Sequence, residues 1–158
     1  MTIIHMNQKE ANFWNDFIKN TGVDNPRFGS SWSFGNTSET ANELAQLVLA
    51  GKKTATASAK VEYDMAQEEL PKENYHYDIL LDGQENPVAI LITTRVYVTP
   101  FNEVTVEHAF KEGEGDLSLS YWRNAHRDFW RSVFQELNIV VDIETMPVVC
   151  EEFKVVYA

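Results

Sequence analysis

The period of the apolar residues changes across one glycine, and this change constrains the fold of residues 38–63. Before Gly51, apolar side chains recur at helical spacing over residues 38–50. After it, small apolar and polar residues alternate over residues 54–63, which is typical of a strand with one face of small side chains. Glycine is favoured just past a helix end. The sequence therefore predicts a helix, a tight turn at Gly51 and a strand.

The same periodicities predict the other elements. We expect helices over about residues 8–20, 64–70, 105–111 and 117–137, with Asp116 as the N-cap of the last. We expect further strands at residues 77–82, 88–98, 139–143 and 148–157, and a loop over residues 26–35. The sum is an α+β fold: a mostly antiparallel sheet curled into a small barrel, with helices packed outside.

Length and composition favour one cytoplasmic domain over residues 1–158. Of the 158 residues, 44% are hydrophobic, which is enough for a core. The one cysteine, Cys150, cannot form an internal disulfide, and we expect an inert buried thiol. No segment approaches the roughly 20 apolar residues that cross a bilayer, and the first eight residues lack the pattern of a secretion signal. We expect no membrane partner.

The chain is acidic, with a formal net charge of −11. This charge argues against a surface that wraps duplex nucleic acid, so we expect no double-stranded DNA partner. It leaves room for a local basic pocket. It also fits a small substrate better than a long polyanion.

The turn at residues 51–56 holds a candidate catalytic pair. Lys53 follows the helix end, and Thr56 comes three residues later on the strand. A lysine amine acts as a base when burial or a neighbouring cation, here Lys52, favours its neutral form. A threonine hydroxyl becomes a nucleophile when a base lies in reach. The alternative is that lysine favours helix C-termini and threonine favours strands.

An acidic loop at residues 112–116, broken by glycines, holds the candidate carboxylates. Glu112 ends a short helix and is placed to polarise an amide, shuttle a proton or pair with Lys53. The alternative is that Glu112, Glu114 and Asp116 form a solvated loop. His108 and Glu112 stand four residues apart without a third ligand at regular spacing. We therefore predict no metal and no cofactor.

The predicted long helix carries a basic stripe in an acidic chain. Arg123, Arg127 and Arg131 recur every four residues on one helical face. Such a stripe suits the phosphates of a nucleotide or of single-stranded RNA. The alternative is that the arginines pair with nearby acids such as Asp128 and Glu136.

Four more side chains complete the candidate binding surface. Tyr121 suits stacking on a base, and His126 suits a hydrogen bond to it. Trp32 and Phe34, in the predicted loop, suit an aromatic wall. The alternative for the two loop aromatics is core packing, and for His126 an ordinary core or surface position.

Gly51, Lys53 and Thr56 stand in the spacing G-x-K-x-x-T after an amphipathic helix. This spacing resembles the G-x-K-x-x-[ST] signature of the ASCH domain, a relative of the PUA domain built on a small β-barrel. Further segments resemble the larger bacterial ASCH subfamily in the same order, so that the resemblance covers nearly the whole chain. They are residues 32–35, 47–56, 100–104, 107–109, 112–116, 121–123 with His126, and 149–153.

The resemblance implies a function related to nucleosides or RNA. Small ASCH proteins are amidohydrolases of N4-acylated cytosine nucleosides and use a lysine, a threonine and a glutamate. The family has also been proposed to bind RNA, and some larger members resemble ribonucleases. By resemblance, the catalytic triad here is Lys53, Thr56 and Glu112, with Glu114 as the other candidate carboxylate. The expected functions are amide hydrolysis, binding or cleavage of single-stranded RNA, and nucleoside sensing without chemistry.

Overall fold

The computed structural model describes residues 6–158, and these residues form an α+β fold with five α-helices and five strands. A 3₁₀ turn at Phe101–Glu103 precedes the fourth helix. The helices are α1 (Gln8–Thr21), α2 (Ser38–Leu49), α3 (Lys60–Ala66), α4 (Val106–Glu112) and α5 (Leu119–Leu137). The strands are β1 (Phe28–Trp32), β2 (Ala55–Ala59), β3 (Tyr77–Leu81), β4 (Pro87–Pro100) and β5 (Pro147–Tyr157).

Short polar side chains determine where four of the helices begin. Asn7, Thr37 and Thr105 accept backbone N–H groups in the first turns of α1, α2 and α4. Ser118 caps α5 by accepting the N–H of Tyr121 at 3.0 Å. The prediction of Asp116 as this cap is wrong, because the carboxylate accepts the N–H of Ser118 instead, at 2.9 Å.

The strands form one mixed sheet in the order β1-β3-β4-β5-β2. β1 runs parallel to β3, whereas β3 is antiparallel to β4 and β2 is antiparallel to β5. Within the described residues, β1 and β2 are the edges of the sheet, which does not close. The predicted closed barrel is therefore wrong. One strand that would have contributed to it, at residues 139–143, is absent from the described chain, where residues 143–145 form a turn.

Two other predicted boundaries are wrong. Residues 28–32, predicted as loop, form β1, because their backbone groups find partners in β3. The strand predicted to continue through residue 63 ends at Ala59, and α3 begins at Lys60. Lys60 and Asp64 then form an ion pair of 2.9 Å across one helical turn.

The chain divides into two compact units, and the prediction of one domain stays a prediction. The described part of the first unit comprises residues 6–52, 72–94 and 153–158. Trp14 and Phe17 of α1 pack against Ile79 and Ile90 in its first core cluster. Its second core cluster joins α2 to the sheet and contains Ala45, Val48, Leu80, Ala89, Leu91 and Phe153.

The second unit comprises residues 53–71 and 95–152. Its core lies between α5, α4 and the sheet, and Phe101, Trp122 and Trp130 are its large aromatic members. The alanine face of β2 joins this core, since Ala59 belongs to it and Ala57 packs against it. None of the helices formed by residues 6–158 combines the length and apolar character needed to cross a membrane.

Candidate functional site

The turn after α2 has the backbone geometry that the sequence predicts. Gly51 takes a left-handed conformation with φ +75°. Its N–H donates to Val48 O at 3.0 Å, and the N–H of Lys52 donates to Leu47 O at 2.9 Å. This paired arrangement ends a helix and turns the chain sharply. Lys53 is the second residue after Gly51 and the first residue of the second unit.

Lys53 is a buried charge, with only 2% of the residue exposed. Its Nζ lies 3.0 Å from Ala55 O, 3.4 Å from Glu112 O and 3.0 Å from Glu114 Oε2. Three acceptors match the three N–H donors of an ammonium. The next residue fixes the same junction, since the N–H of Thr54 donates to Lys111 O at 2.7 Å.

Glu112 is equally buried and ends α4 beside this ammonium. Its Oε2 accepts His108 Nε2–H at 2.7 Å and Trp122 Nε1–H at 2.5 Å, and its Oε1 lies 3.6 Å from Lys53 Nζ. Burial raises the pKa of Glu112, but the hydrogen bond from His108 and the charges of Lys53 and His126 outweigh burial and lower it to about 2. The residue is therefore a carboxylate at neutral pH.

Glu114 reaches the same amine from the loop between α4 and α5. Its side chain keeps 32% of its surface exposed, against 1% for Lys53. The loop owes its path to Gly115, which has φ +60° and lies against the ring of Tyr121. A Cβ at Gly115 would come within 2.5 Å of that ring. Both candidate carboxylates thus contact Lys53, Glu112 from a buried position and Glu114 from a partly exposed one, and which of them takes part in chemistry stays a prediction.

Two histidines flank Glu112 in different ways. His108 lies one turn before it on α4 and is 2% exposed, and its Nδ1 has no hydrogen-bond partner among the described residues. His126 lies on α5, and its Nε2 is 3.6 Å from Glu112 Oε1. Its ring stacks on Trp122 at 4.1 Å between centroids.

Thr56 lies in β2, half-buried and opposite Glu151 of β5. Because strand side chains alternate, Thr56 projects from the face opposite that of Ala55 and Ala59, which belong to the core face. The structure therefore brings Lys53, Glu112 and Glu114 together. Thr56 follows Lys53 by three residues along the chain, and the role of Thr56 as nucleophile stays a prediction.

The arginine stripe makes contacts within its own unit. Arg127 donates to both carboxylate oxygens of Glu144, at 2.6 and 3.3 Å. Arg123 donates to Asn102 O at 2.9 Å and to Val104 O at 3.3 Å. Arg131 is exposed. Arg123 and Arg127 thus have hydrogen-bond partners in the protein, and Glu144 is a partner that helical spacing did not suggest.

Three predicted binding residues belong to the first unit. Trp32 donates its indole N–H to Asp78 Oδ2 at 3.1 Å, and its ring meets Phe34 edge-on at 4.7 Å. Phe34 also lies 6.0 Å from the ring of Phe153, so both aromatics support the core there. Lys52, the third, is exposed.

Cys150 is a buried thiol in β5. Burial raises its pKa to about 12, which keeps it protonated and unsuited to nucleophilic attack at neutral pH. Across residues 6–158, the His, Cys, Asp and Glu side chains form no group of three placed to hold a metal ion.

The sequence did not predict a contact of Trp122 with Glu112, although Trp122 lies in segment 121–123, one of the segments that resemble the ASCH subfamily. Two signals were present. Trp122 and His126 stand four residues apart, as do His108 and Glu112, so each pair shares one helical face. A buried tryptophan also needs an acceptor for its indole N–H, and a nearby carboxylate can supply one.

Fold and sequence together define the class of this protein. Residues 30–157 match the ASCH domain family, and the chain belongs to that family. A structure of an ASCH domain from Lactobacillus crispatus JV V101 is similar, with a TM-score of 0.91, 30% identity and full coverage of both chains. A structure of a protein from Enterococcus faecalis V583 has a TM-score of 0.85 and 37% identity, covering 95% of this chain and 89% of the other.

These neighbours support assignment of the fold to the PUA-like class. No curated protein matches the chain.

Proposed function

We propose that this ASCH protein is a hydrolase that cleaves the amide of an acylated nucleobase, with N4-acetylcytidine as a representative substrate. The supporting observation is the buried Lys53 ammonium between Glu112 and Glu114, 3.6 and 3.0 Å from their carboxylates. Removing charges from water costs several kcal/mol per ion, so a buried cluster at the family motif is a functional-site candidate.

In the proposed reaction, the Thr56 hydroxyl oxygen bonds to the acyl carbon, and the C–N bond to the base breaks. In its neutral form, Lys53 takes the hydroxyl proton of Thr56 and gives it to the departing nitrogen. To reach that form the ammonium must first release a proton, and Glu114 Oε2 is an acceptor in place at 3.0 Å. Water then releases the acyl group from Thr56 as a carboxylic acid.

Glu112 has an electrostatic role in this scheme. Its Oε2 accepts two N–H donors, from His108 and Trp122, neither of which can accept a proton from it in that geometry. It therefore acts as a fixed negative charge that stabilises positive charge on its neighbours.

Release of cytidine from N4-acetylcytidine, followed by mass spectrometry, tests the proposal. Lys53→Met should lose turnover, whereas Lys19→Met, at an exposed lysine of α1, provides the control and should keep it. Absence of hydrolysis by the wild-type protein across a panel of acylated nucleosides would refute the proposal. Nucleoside binding measured by calorimetry, with no product formed, would instead support a protein that senses nucleosides without chemistry.

Handling of single-stranded RNA is the second candidate, and membership of the ASCH family is the observation that favours it. Exposed Arg131 and Tyr121 on α5 are the side chains available for phosphate contact and base stacking. Binding should then weaken steeply as salt rises. A gel shift that is missing at low salt, or insensitive to salt, excludes this candidate, and RNA fragments in the same assay identify a ribonuclease.

A further inference from the structure

Lys53 is enclosed, so a molecule that reacts with its amine needs part of the second unit to open. Ala55 and Glu112, which both offer the amine a carbonyl oxygen, are buried members of β2 and α4. Reaching the amine from their side would separate a strand or a helix from the core. Glu114, in contrast, is partly exposed and lies in the loop after α4. The path that disturbs least of the fold therefore passes Glu114.

We propose that residues 114–117 form a lid, which covers Lys53 and opens while the rest of the fold stays intact. The four residues make a turn with its own hydrogen bond, from Leu117 N–H to Glu114 O at 3.1 Å. The three residues after Glu114 are exposed. A segment with few buried contacts opens at a lower free energy than the whole fold. The inference concerns access to the amine and holds whether or not the proposed hydrolysis takes place.

The backbone at both ends of the lid suits a hinge. Gly113, which follows α4, has φ +74°, and glycine changes φ at little cost. Leu117, at the other end, has φ +70°. A leucine in this left-handed region is strained, and surrounding contacts must hold it there. Strain at Leu117 thus opposes the contacts that keep the lid closed.

The lid is held closed by an ion pair and by packing. Glu114 Oε2 lies 3.0 Å from Lys53 Nζ. The next residue, Gly115, lies against the ring of Tyr121, so closely that a Cβ would come within 2.5 Å of it. Gly115 and Tyr121 are outside the hydrophobic core of this unit. Their contact can therefore break without exposing core side chains.

Short pulses of acetylation by N-hydroxysuccinimidyl acetate measure how often the Lys53 amine is exposed. Fragment-ion mass spectrometry locates the label, and Lys19, an exposed lysine of α1, reports the reactivity of the reagent. Below the unfolding midpoint, we expect the rate at Lys53 relative to Lys19 to be nearly independent of urea. The reason is that a local opening exposes little surface. A relative rate that rises with urea as steeply as the global unfolding constant would overturn the lid.

Two variants test whether this segment controls access. Tyr121 and Phe129 are both exposed aromatic residues of α5, at 43% and 45%. Tyr121→Ala removes the packing on Gly115 and should raise the acetylation rate of Lys53 at low urea by about fivefold or more. Phe129→Ala, the matched control, should change it by less than about twofold. Equal rates in the two variants would overturn the proposal. Each rate is read below the unfolding midpoint of that variant, so a loss of overall stability does not imitate the effect.

Discussion

Glu114 Oε2 lies 3.0 Å from Lys53 Nζ although 61 residues separate them in the chain. Glu114 is the partly exposed member of the pair, with 32% of its side chain open to solvent against 1% for Lys53. The contact therefore joins the buried amine to a side chain that is partly exposed to solvent.

Lys53→Met should destabilise the fold. Breaking a buried pair by removing one partner costs about 3–5 kcal/mol, because the remaining charge stays buried without compensation. Here Glu112, 2% exposed, would remain. Urea unfolding at neutral pH measures the free energy of unfolding.

The neighbouring residue gives the control for this measurement. Lys52→Met removes the same charge from an exposed position and should change the free energy of unfolding by less than about 0.5 kcal/mol. Equal losses in the two variants would mean that the contacts of the Lys53 ammonium contribute nothing to stability.

Glu112 should make stability depend on pH in the acid range. Its folded pKa of about 2 lies below the ordinary 4.5, so on acidification the unfolded chain takes up this proton first. The contribution is complete above about pH 4.5 and is lost as pH falls towards 2. By linkage it amounts to about 3 kcal/mol. Urea unfolding at a series of pH values gives the free energy of unfolding as a function of pH. Below about pH 4.5 this free energy should change less steeply with pH in Glu112→Gln than in the wild-type protein.

Glu107 provides the matched control for the pH series, since it is an exposed glutamate of the same helix. Glu107→Gln should keep the acid sensitivity of the wild-type protein. If Glu107→Gln and Glu112→Gln reduce the pH dependence of the free energy of unfolding equally, the buried carboxylate of Glu112 is not the source of that dependence.

Trp122 and Glu112 should be energetically coupled. Trp122→Phe keeps an aromatic ring but removes the N–H that donates to Glu112 Oε2, which should cost about 1–3 kcal/mol. In the Glu112→Gln background the same change should cost less, because the charged acceptor is already absent. A double-mutant cycle of unfolding free energies measures the coupling, and additive losses would show that this hydrogen bond has no net effect.

Gly115 should tolerate alanine less well than Gly51 does. Both have positive φ, +60° and +75°, and an L-residue in this region costs about 1–2 kcal/mol. Space differs between them: a Cβ at Gly51 meets nothing within 4 Å, whereas one at Gly115 comes within 2.5 Å of the Tyr121 ring. Gly115→Ala should therefore lose more stability than Gly51→Ala.

The Tyr121→Ala background tests the cause of this difference. Removing the ring should reduce the cost of Gly115→Ala to about that of Gly51→Ala. If the cost is unchanged, the strain lies in the backbone rather than in the ring.

The sequence predicted the local elements well because they depend on periodicity and caps. The change of period at Gly51 is found, and the helix predicted over about residues 105–111 forms at Val106–Glu112. It did not predict β1, since that strand gains its backbone partners from β3, more than forty residues later. The predicted barrel likewise depended on pairing between strands that are distant in sequence. One of the strands that it required, at residues 139–143, is not formed in the described part of the chain.

In the candidate site, too, the residues could be predicted from local sequence, whereas their packing could not. The motif and the resemblance pointed to Lys53 and Glu112, and the structure brings these two together. Their burial could not be predicted, because it depends on how α4 and α5 pack. An apolar periodicity also gives no sign of polar contacts. The pattern marks Trp122 as a core residue, whereas in the structure its indole N–H donates a hydrogen bond to the buried carboxylate of Glu112.

The conformation of Gly51 has a consequence for recognising relatives. With open space around the position of its missing Cβ, this glycine is required for the handedness of the backbone and not for room. Asparagine tolerates the left-handed region better than other residues with side chains. Related chains with asparagine at this point of the motif are therefore expected to keep the turn, and a search pattern that insists on glycine would overlook them.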